Sequence, residues 1–360
     1  MVDMLAVVLD SNAIHTDPWL TSEPGVKLLE LAQRGFCTVV YPQVVIDELR
    51  RQRKEAAERA YDQAANGVND MAKAGVDVVQ TASDLRASFE KIDANLGDAF
   101  AALFVKDNVT VAPIPDVTVA EILRRDLERR RPFIQIEVRQ KAVSVGFRDA
   151  LIWETVVELL GPASGYQRVL FVTADKGFLS EKSELHEDLL RDLDDREIDR
   201  FSVESIKNVW NAATSVEAAA LADLITAATN ALYGLLNQEI SQQMIYGGEY
   251  DYPDFVRFEV PAMESGQISD IEQSTEFVIS DGEGPGNVIA TCEATIFLDG
   301  VAFKGDWFAD GGETMTLSAA LNDHYFEVSS EILVRVVVEL DTSGDSPQVS
   351  SVVLENTQNR

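Results

Sequence analysis

Cysteine, histidine and basic charge are all scarce in this 360-residue chain. Its two cysteines, Cys37 and Cys292, cannot build a disulfide framework. Cys37 lies in the apolar run Phe36-Cys37-Thr38-Val39-Val40 and reads as a buried thiol. The three histidines, His15, His186 and His324, are scattered and show no zinc-ligand spacing. No apolar run approaches the roughly 18 residues of a membrane span. No basic segment follows Met1, and Asp3 and Asp10 bracket the first apolar run, so no signal peptide is expected. These absences lead us to expect a soluble, cytoplasmic protein with no membrane partner. Lys and Arg number 30 against 61 Asp and Glu, a net charge of −31. That balance excludes non-specific coating of nucleic acid or anionic membrane.

The shortage of base is uneven. From residue 213 onward there are 4 Lys+Arg and 25 Asp+Glu, a net of −21; the first 212 residues hold the other 26 and 36, a net of −10. The length suits two domains of roughly 100–200 residues, and the charge split gives them different jobs.

The first part alternates short apolar runs with helical patterns. Leu5-Ala6-Val7-Val8-Leu9 and Val169 to Val172 fit strands buried on both faces, as in a parallel sheet. Residues 36–41, 109–114 and 199–203 add further strand candidates. Helices are expected after Pro24 and Pro42, over 117–131, and from Asp149 to Leu160. A helical insertion, rich in Ala, Arg, Glu and Asp, is expected over about 50–131. The order argues an α/β domain with helices on both faces of a parallel sheet. A helical connector follows at 206–245. Residues 246–360 alternate like strands over 255–260, 274–280, 288–298, 301–308 and 326–340, with Val352-Val353-Leu354 as a final candidate. Asp299-Gly300 reads as a hairpin turn. This predicts an acidic β-rich domain, a sandwich or barrel.

Asp10 and Asp175 each end a predicted strand. Ligands of parallel α/β sheets bind at that edge, and a charge there needs a partner. Each acid alone reads equally well as a helix or turn cap. Glu48 lies on the helix after the second strand. Neighbouring Asp47 points about 100° away from it. Asp149 opens a helix, where the dipole alone would favour an acid. Together the four suit hard divalent ions, which prefer oxygen ligands and can activate water against a phosphodiester. Trp153 shares an apolar helix face with Ala150 and Val157 and is expected in the core.

Leu9-Asp10-Ser11-Asn12, the Glu48 helix, Gly146-Phe147-Arg148-Asp149-Ala150-Leu151-Ile152-Trp153 and Phe171-Val172-Thr173-Ala174-Asp175-Lys176-Gly177-Phe178 resemble, in order and placement, the acidic motifs of PIN-domain nucleases. The larger bacterial PIN-like proteins are the nearer likeness. The resemblance covers about residues 1–205. It implies a PIN-like fold and a Mg²⁺- or Mn²⁺-dependent endoribonuclease. Asp10, Glu48, Asp149 and Asp175 would be its catalytic cluster, with Asp10, Asp149 and Asp175 as metal ligands. Ser11 and Asn12 would support them. RNA is the implied partner, with DNA left open. A second reading, a non-cutting module that binds nucleic acid or protein, stays open beside it.

Basic residues near these motifs are candidates for the substrate backbone, since arginine pairs bidentately with phosphate. They are Arg51, Arg124, Arg125, Arg129, Arg130, Arg148 and Lys176, with Arg139 beyond. Interleaved Arg and Glu equally describe a solvated, salt-bridged helix face. The acidic second domain, residues 246–360, is a candidate intramolecular regulator that mimics nucleic acid and covers these groups. A homo-oligomer is compatible with everything above.

Overall fold

Five residues without a polar side chain form the centre of the first unit. In this computed structural model, which describes residues 5–138, 141–162, 164–241, 243–245, 249–251, 254–257, 263–284, 286–311, 315–344 and 346–356, strand β1 (Leu5–Leu9) is buried along its whole length. The chain divides into two units, Met1–Glu217 and Ala218–Arg360.

After β1 come a short helix α1 (Ser11–Ile14), α2 (Glu23–Gln33) and β2 (Thr38–Pro42). Pro42 fixes φ at −58° and starts the 31-residue α3 (Gln43–Lys73). Only the first two turns of α3 are anchored, by Val44, Val45, Ile46 and Leu49; no residue beyond them is buried. Helix α4 (Val79–Glu90) has no buried residue either, and Tyr61 on α3 stacks on its Phe89 with centroids 4.6 Å apart. Helix α5 (Ile92–Phe104) returns to the core through Leu96, Phe100 and Leu103, and β3 (Val109–Ala112) follows.

Helix α6 (Val119–Leu127) opens on a reciprocal capping box between Thr118 and Glu121. It is followed by an antiparallel pair, β4 (Ile134–Val138) and β5 (Lys141–Val145), which the helical pattern over 117–131 does not announce. Helix α7 (Phe147–Leu159), β6 (Arg168–Val172), α8 (Glu187–Asp195), β7 (Val203–Ile206) and α9 (Val209–Tyr233) complete the series. The fifth strand begins where the expected segment ends. Asp199 instead accepts the Phe201 N–H at 3.0 Å and caps a 3₁₀ turn over Arg200–Ser202.

The sheet order is β3-β2-β1-β6-β7, every pair parallel. Helices α2, α3, α5 and α7 pack on its strands. Trp153, Phe171, Tyr41 and Phe100 are among the largest fully buried side chains, each worth roughly 1.5–3 kcal/mol or more in transfer from water.

The second unit is a β-rich curled sheet, a half-barrel. Its strands are β8 (Glu239–Ser241), β11 (Val256–Arg257), β12 (Ser265–Gln273), β13 (Val278–Asp281), β14 (Asn287–Phe303), β15 (Thr316–Ala320), β16 (Tyr325–Asp341) and β17 (Gln348–Asn356). β9 (Gln243–Ile245) and β10 (Glu249–Asp251) pair separately. Of the expected strand 255–260, residues 258–260 lie outside the described residues. β14 and β16 pair antiparallel over 17 residues each. Val288, Ala290, Cys292, Ala294, Ile296 and Leu298 alternate inward, as a half-buried strand requires.

Asp299-Gly300 is not a hairpin. Both residues sit inside the continuous β14, opposite Ser329 and Val328. A Cβ on Gly300 would lie 2.3 Å from the Ser265 carbonyl oxygen and 2.5 Å from the Met263 sulfur. The glycine serves close approach by β12, not a turn. The expected strand 301–308 likewise breaks after Phe303 into helical turns over Lys304–Asp306 and Trp307–Gly311.

Candidate functional site

The pairing Leu9↔Val172 brings the ends of β1 and β6 together. The next residue on each strand continues the contact. The Asp10 N–H donates to the Val172 carbonyl at 3.0 Å, and the Thr173 hydroxyl donates to Asp10 Oδ2 at 2.7 Å. The Ser11 hydroxyl donates to Asp10 Oδ1 at 3.5 Å. Two residues on, the Asp175 N–H donates back to Thr173 Oγ1 at 3.1 Å. Asp175 accepts from Asn12 Nδ2 at 2.7 Å and from the Gly177 N–H at 2.6 Å. Asp10 and Asp175 thus meet at the carboxyl edge of the sheet, where parallel topology places ligand sites.

Glu48 comes from the second turn of α3. Its side chain is 14% exposed and pairs with Arg148 at 2.6 Å. Neighbouring Asp47 turns outward and accepts from Gln43 at 2.8 Å. Asp149 stands in the first turn of α7. That helix is preceded by Gly146, whose φ of +126° and whose close approach to Pro132, where a Cβ would lie 2.7 Å from the carbonyl oxygen, admit no larger residue.

Ser11, Asn12, Glu48, Arg148, Asp149 and Asp175 line one cavity of about 640 Å³. Asp10 is 1% exposed beneath it. Burial raises the Asp10 carboxyl to about 7 against the Thr173 hydrogen bond, and the charges of Asp149 and Asp175 add to the rise. Asp149 is raised to about 6, first by burial and then by Asp175 and Glu48, with Arg148 offsetting part. Acids that feel one another in this way form one electrostatic cluster. Among the described residues, however, no three His, Cys, Asp or Glu side chains stand as a group that could hold a metal ion. Three of the acids are held by donors of this chain: Asp10 by Thr173, Asp175 by Asn12 and Gly177, and Glu48 by Arg148.

The basic candidates divide. Arg125 and Arg130 are not free to meet a phosphate. The Arg125 side chain is 9% exposed, bonded to Asp192 and to the Arg131 carbonyl, and 3.6 Å from Glu154. Arg130 reaches the other Asp192 oxygen at 2.6 Å. Trp153, in the core as expected, donates to the same carboxylate at 2.8 Å. These arginines join α6 to α8 and leave the substrate set. Arg51 is exposed but holds Glu55 at 2.5 Å. Arg124, Arg129 and Lys176 are exposed and do not line the cavity. Arg139 lies outside the described residues.

Two residues escape the sequence reading. Thr173 has a visible signal, a polar residue at the end of a buried strand in register with Asp10. Asp192 has a weaker one: it stands three residues after Leu189 and beside Leu193, on the apolar face of α8.

Residues 7–178 match the family model of the PIN domain. Comparison with curated proteins gives no match, and neither does comparison with solved structures. The match contains all four acids and nearly the whole parallel sheet, and this part of the chain is a PIN domain.

Proposed function

We propose that this PIN domain is a metal-dependent nuclease, an endoribonuclease that hydrolyses phosphodiester bonds in RNA. PIN is a nuclease-type fold. The observation that carries the finer reading is the shared cavity of Glu48, Asp149 and Asp175 with Asp10 buried under it. Nothing in the packing explains two carboxyls, Asp10 and Asp149, raised by burial and by the neighbouring acids at the edge of a sheet. A cation does, because it turns their repulsion into attraction.

In chemical type, though not in their spacing here, the donors suit a hard divalent ion, Mg²⁺ or Mn²⁺, which takes carboxylate oxygens together with water and substrate phosphate. Asp10, Asp149 and Asp175 would hold it. When bound, such an ion lowers the pKa of water and offsets charge on a phosphate. The chain's own residues prepare the rest. Thr173 and Ser11 fix the Asp10 carboxylate, and Asn12 fixes Asp175. Glu48, now paired with Arg148, would be a further ligand or would orient the attacking water, and Arg148 would pair with the phosphate backbone.

The test is cleavage of a labelled single-stranded RNA in Mn²⁺ by the wild type and by Asp10→Asn. The account expects cleavage by the first and a loss of about 100-fold or more in the second. Equal activity removes Asp10 from the mechanism. A second reading, a PIN module that binds without cutting, draws support from the acids' failure to stand as a ready ion-binding group. It predicts RNA binding with no hydrolysis in Mg²⁺ or Mn²⁺. The net of −21 beyond residue 212 supports regulation of the PIN domain by the acidic part of the chain.

A further inference from the structure

The cavity that holds the acids has a second wall with no part in hydrolysis. Val119 and Leu123 on α6 and Phe147 at the start of α7 line it, and they are 76%, 54% and 54% exposed. Large apolar side chains gathered in water mark a surface that binds something. Asp126 lies three residues after Leu123, on the same helix face. It also lines this wall and accepts a hydrogen bond from the Ser144 hydroxyl on β5, which holds the carboxylate in place. Phe147 and Asp149 line the same cavity, so wall and acids are one continuous surface.

We propose, on top of the nuclease reading of the adjoining acids, that this wall is a nucleobase subsite selective for unpaired guanine. Phe147 stacks on the base, Val119 and Leu123 cover its edge, and Asp126 accepts from its Watson–Crick face. An exposed ring gives sequence-tolerant stacking, and the fixed acceptor supplies the choice. Guanine presents adjacent N1–H and N2–H donors to a carboxylate. Uracil flanks its one N3–H with two carbonyl oxygens, which a carboxylate repels. Adenine and cytosine place a ring acceptor beside their single amino donor. A base in a duplex cannot offer this edge at all. The cavity, about 640 Å³, falls within the roughly 300–1,000 Å³ of ligand sites.

The experiment uses the full chain and two short labelled RNAs that differ only in a central guanosine or uridine within adenosines. Binding is read by fluorescence anisotropy in EDTA, and cleavage is mapped in Mn²⁺. The guanosine RNA is expected to bind about tenfold tighter or more. Phe147→Ala should weaken it by about tenfold, and Phe147→Trp should restore it. Asp126→Asn should lose the guanosine preference and gain affinity for uridine, because the amide offers a donor to its carbonyls. Loss of folding alone would not move the preference in that direction. Equal affinity for the two RNAs overturns the subsite, as does wild-type selectivity in Phe147→Ala and Asp126→Asn. Binding preference without cleavage overturns the nuclease reading and keeps the subsite; cleavage without preference does the reverse. A wall covered instead by a second copy would show as a dimer that Phe147→Ala splits with RNA binding unchanged, which also overturns the proposal.

Discussion

Asp10→Asn is expected to stabilise the ion-free protein at neutral and alkaline pH while abolishing its proposed activity. Burial, opposed by Thr173 and reinforced by Asp149 and Asp175, raises this carboxyl from 3.8 to about 7. At about 1.4 kcal/mol per pH unit, the ionised group then carries roughly 4 kcal/mol of unfavourable free energy. Between about pH 4 and pH 7 the native state keeps a proton that the unfolded state has lost. Wild-type stability therefore falls as pH rises through that window and levels off above it. Asp149, raised to about 6, adds a smaller total fall of the same sign over a narrower pH window. Asparagine has no charge and escapes the Asp10 share. Its amide oxygen still accepts from Thr173, but its NH₂ must face the Ser11 hydroxyl, so the net gain at about pH 8 should be roughly 1–3 kcal/mol. The assay is urea unfolding in EDTA, followed by tryptophan emission, because Trp19, Trp153 and Trp210 all lie in the first unit. The gain should shrink as pH falls below about 7 and turn into a loss of roughly 1–3 kcal/mol below about pH 4, where Asp10 is protonated in both states and only the misfit of the amide remains. A variant less stable than wild type at about pH 8, or a gap that ignores pH, would refute the reasoning.

Other consequences are as direct. Asp192→Ala strands Arg125, Arg130 and the Trp153 indole, and should cost about 3–5 kcal/mol in the same urea assay; a loss below about 1 kcal/mol would mean that the network is ornamental to the fold. Gly300→Ala drives a methyl into the Ser265 carbonyl and the Met263 sulfur, and should destabilise the second unit by about 1–3 kcal/mol, read by amide exchange along β14. A chain ending after Tyr233 loses most of the excess acid. It should bind RNA more tightly and with a steeper salt dependence than the full chain; unchanged binding sinks the regulatory role of residues 246–360.

Much of the site is legible in sequence because strand ends are. Continuous apolar runs mark β1 and β6, and the first polar residues after them are Asp10 and Thr173, so the edge can be read without coordinates. Glu48 and Asp149 become legible only through the ordered pattern of motifs, since an acid on a helix has many uses. Arg124 and Arg125 look alike in sequence but not in space. Arg125 is three residues after Ile122, and both face inward on α6, so one arginine becomes core and the other stays in water. The β4–β5 pair hides because Ile134-Gln135-Ile136-Glu137-Val138 alternates for only five residues after an arginine-rich helix end. Asp299-Gly300 misleads because one dipeptide serves two backbone needs, a tight turn or the close approach of a neighbouring strand. Only the long-range register Gly266↔Gly300 decides between them.

The central claim is that Asp10, Asp149 and Asp175 share a divalent ion. Titration of the full chain with Mn²⁺ by isothermal calorimetry tests it most directly, with Asp149→Asn and Asp175→Asn as controls. The account predicts saturable binding to the wild type at sub-millimolar to millimolar Mn²⁺, weakened about tenfold or more in either variant. No heat of binding at millimolar Mn²⁺, or equal binding by all three proteins, would contradict it.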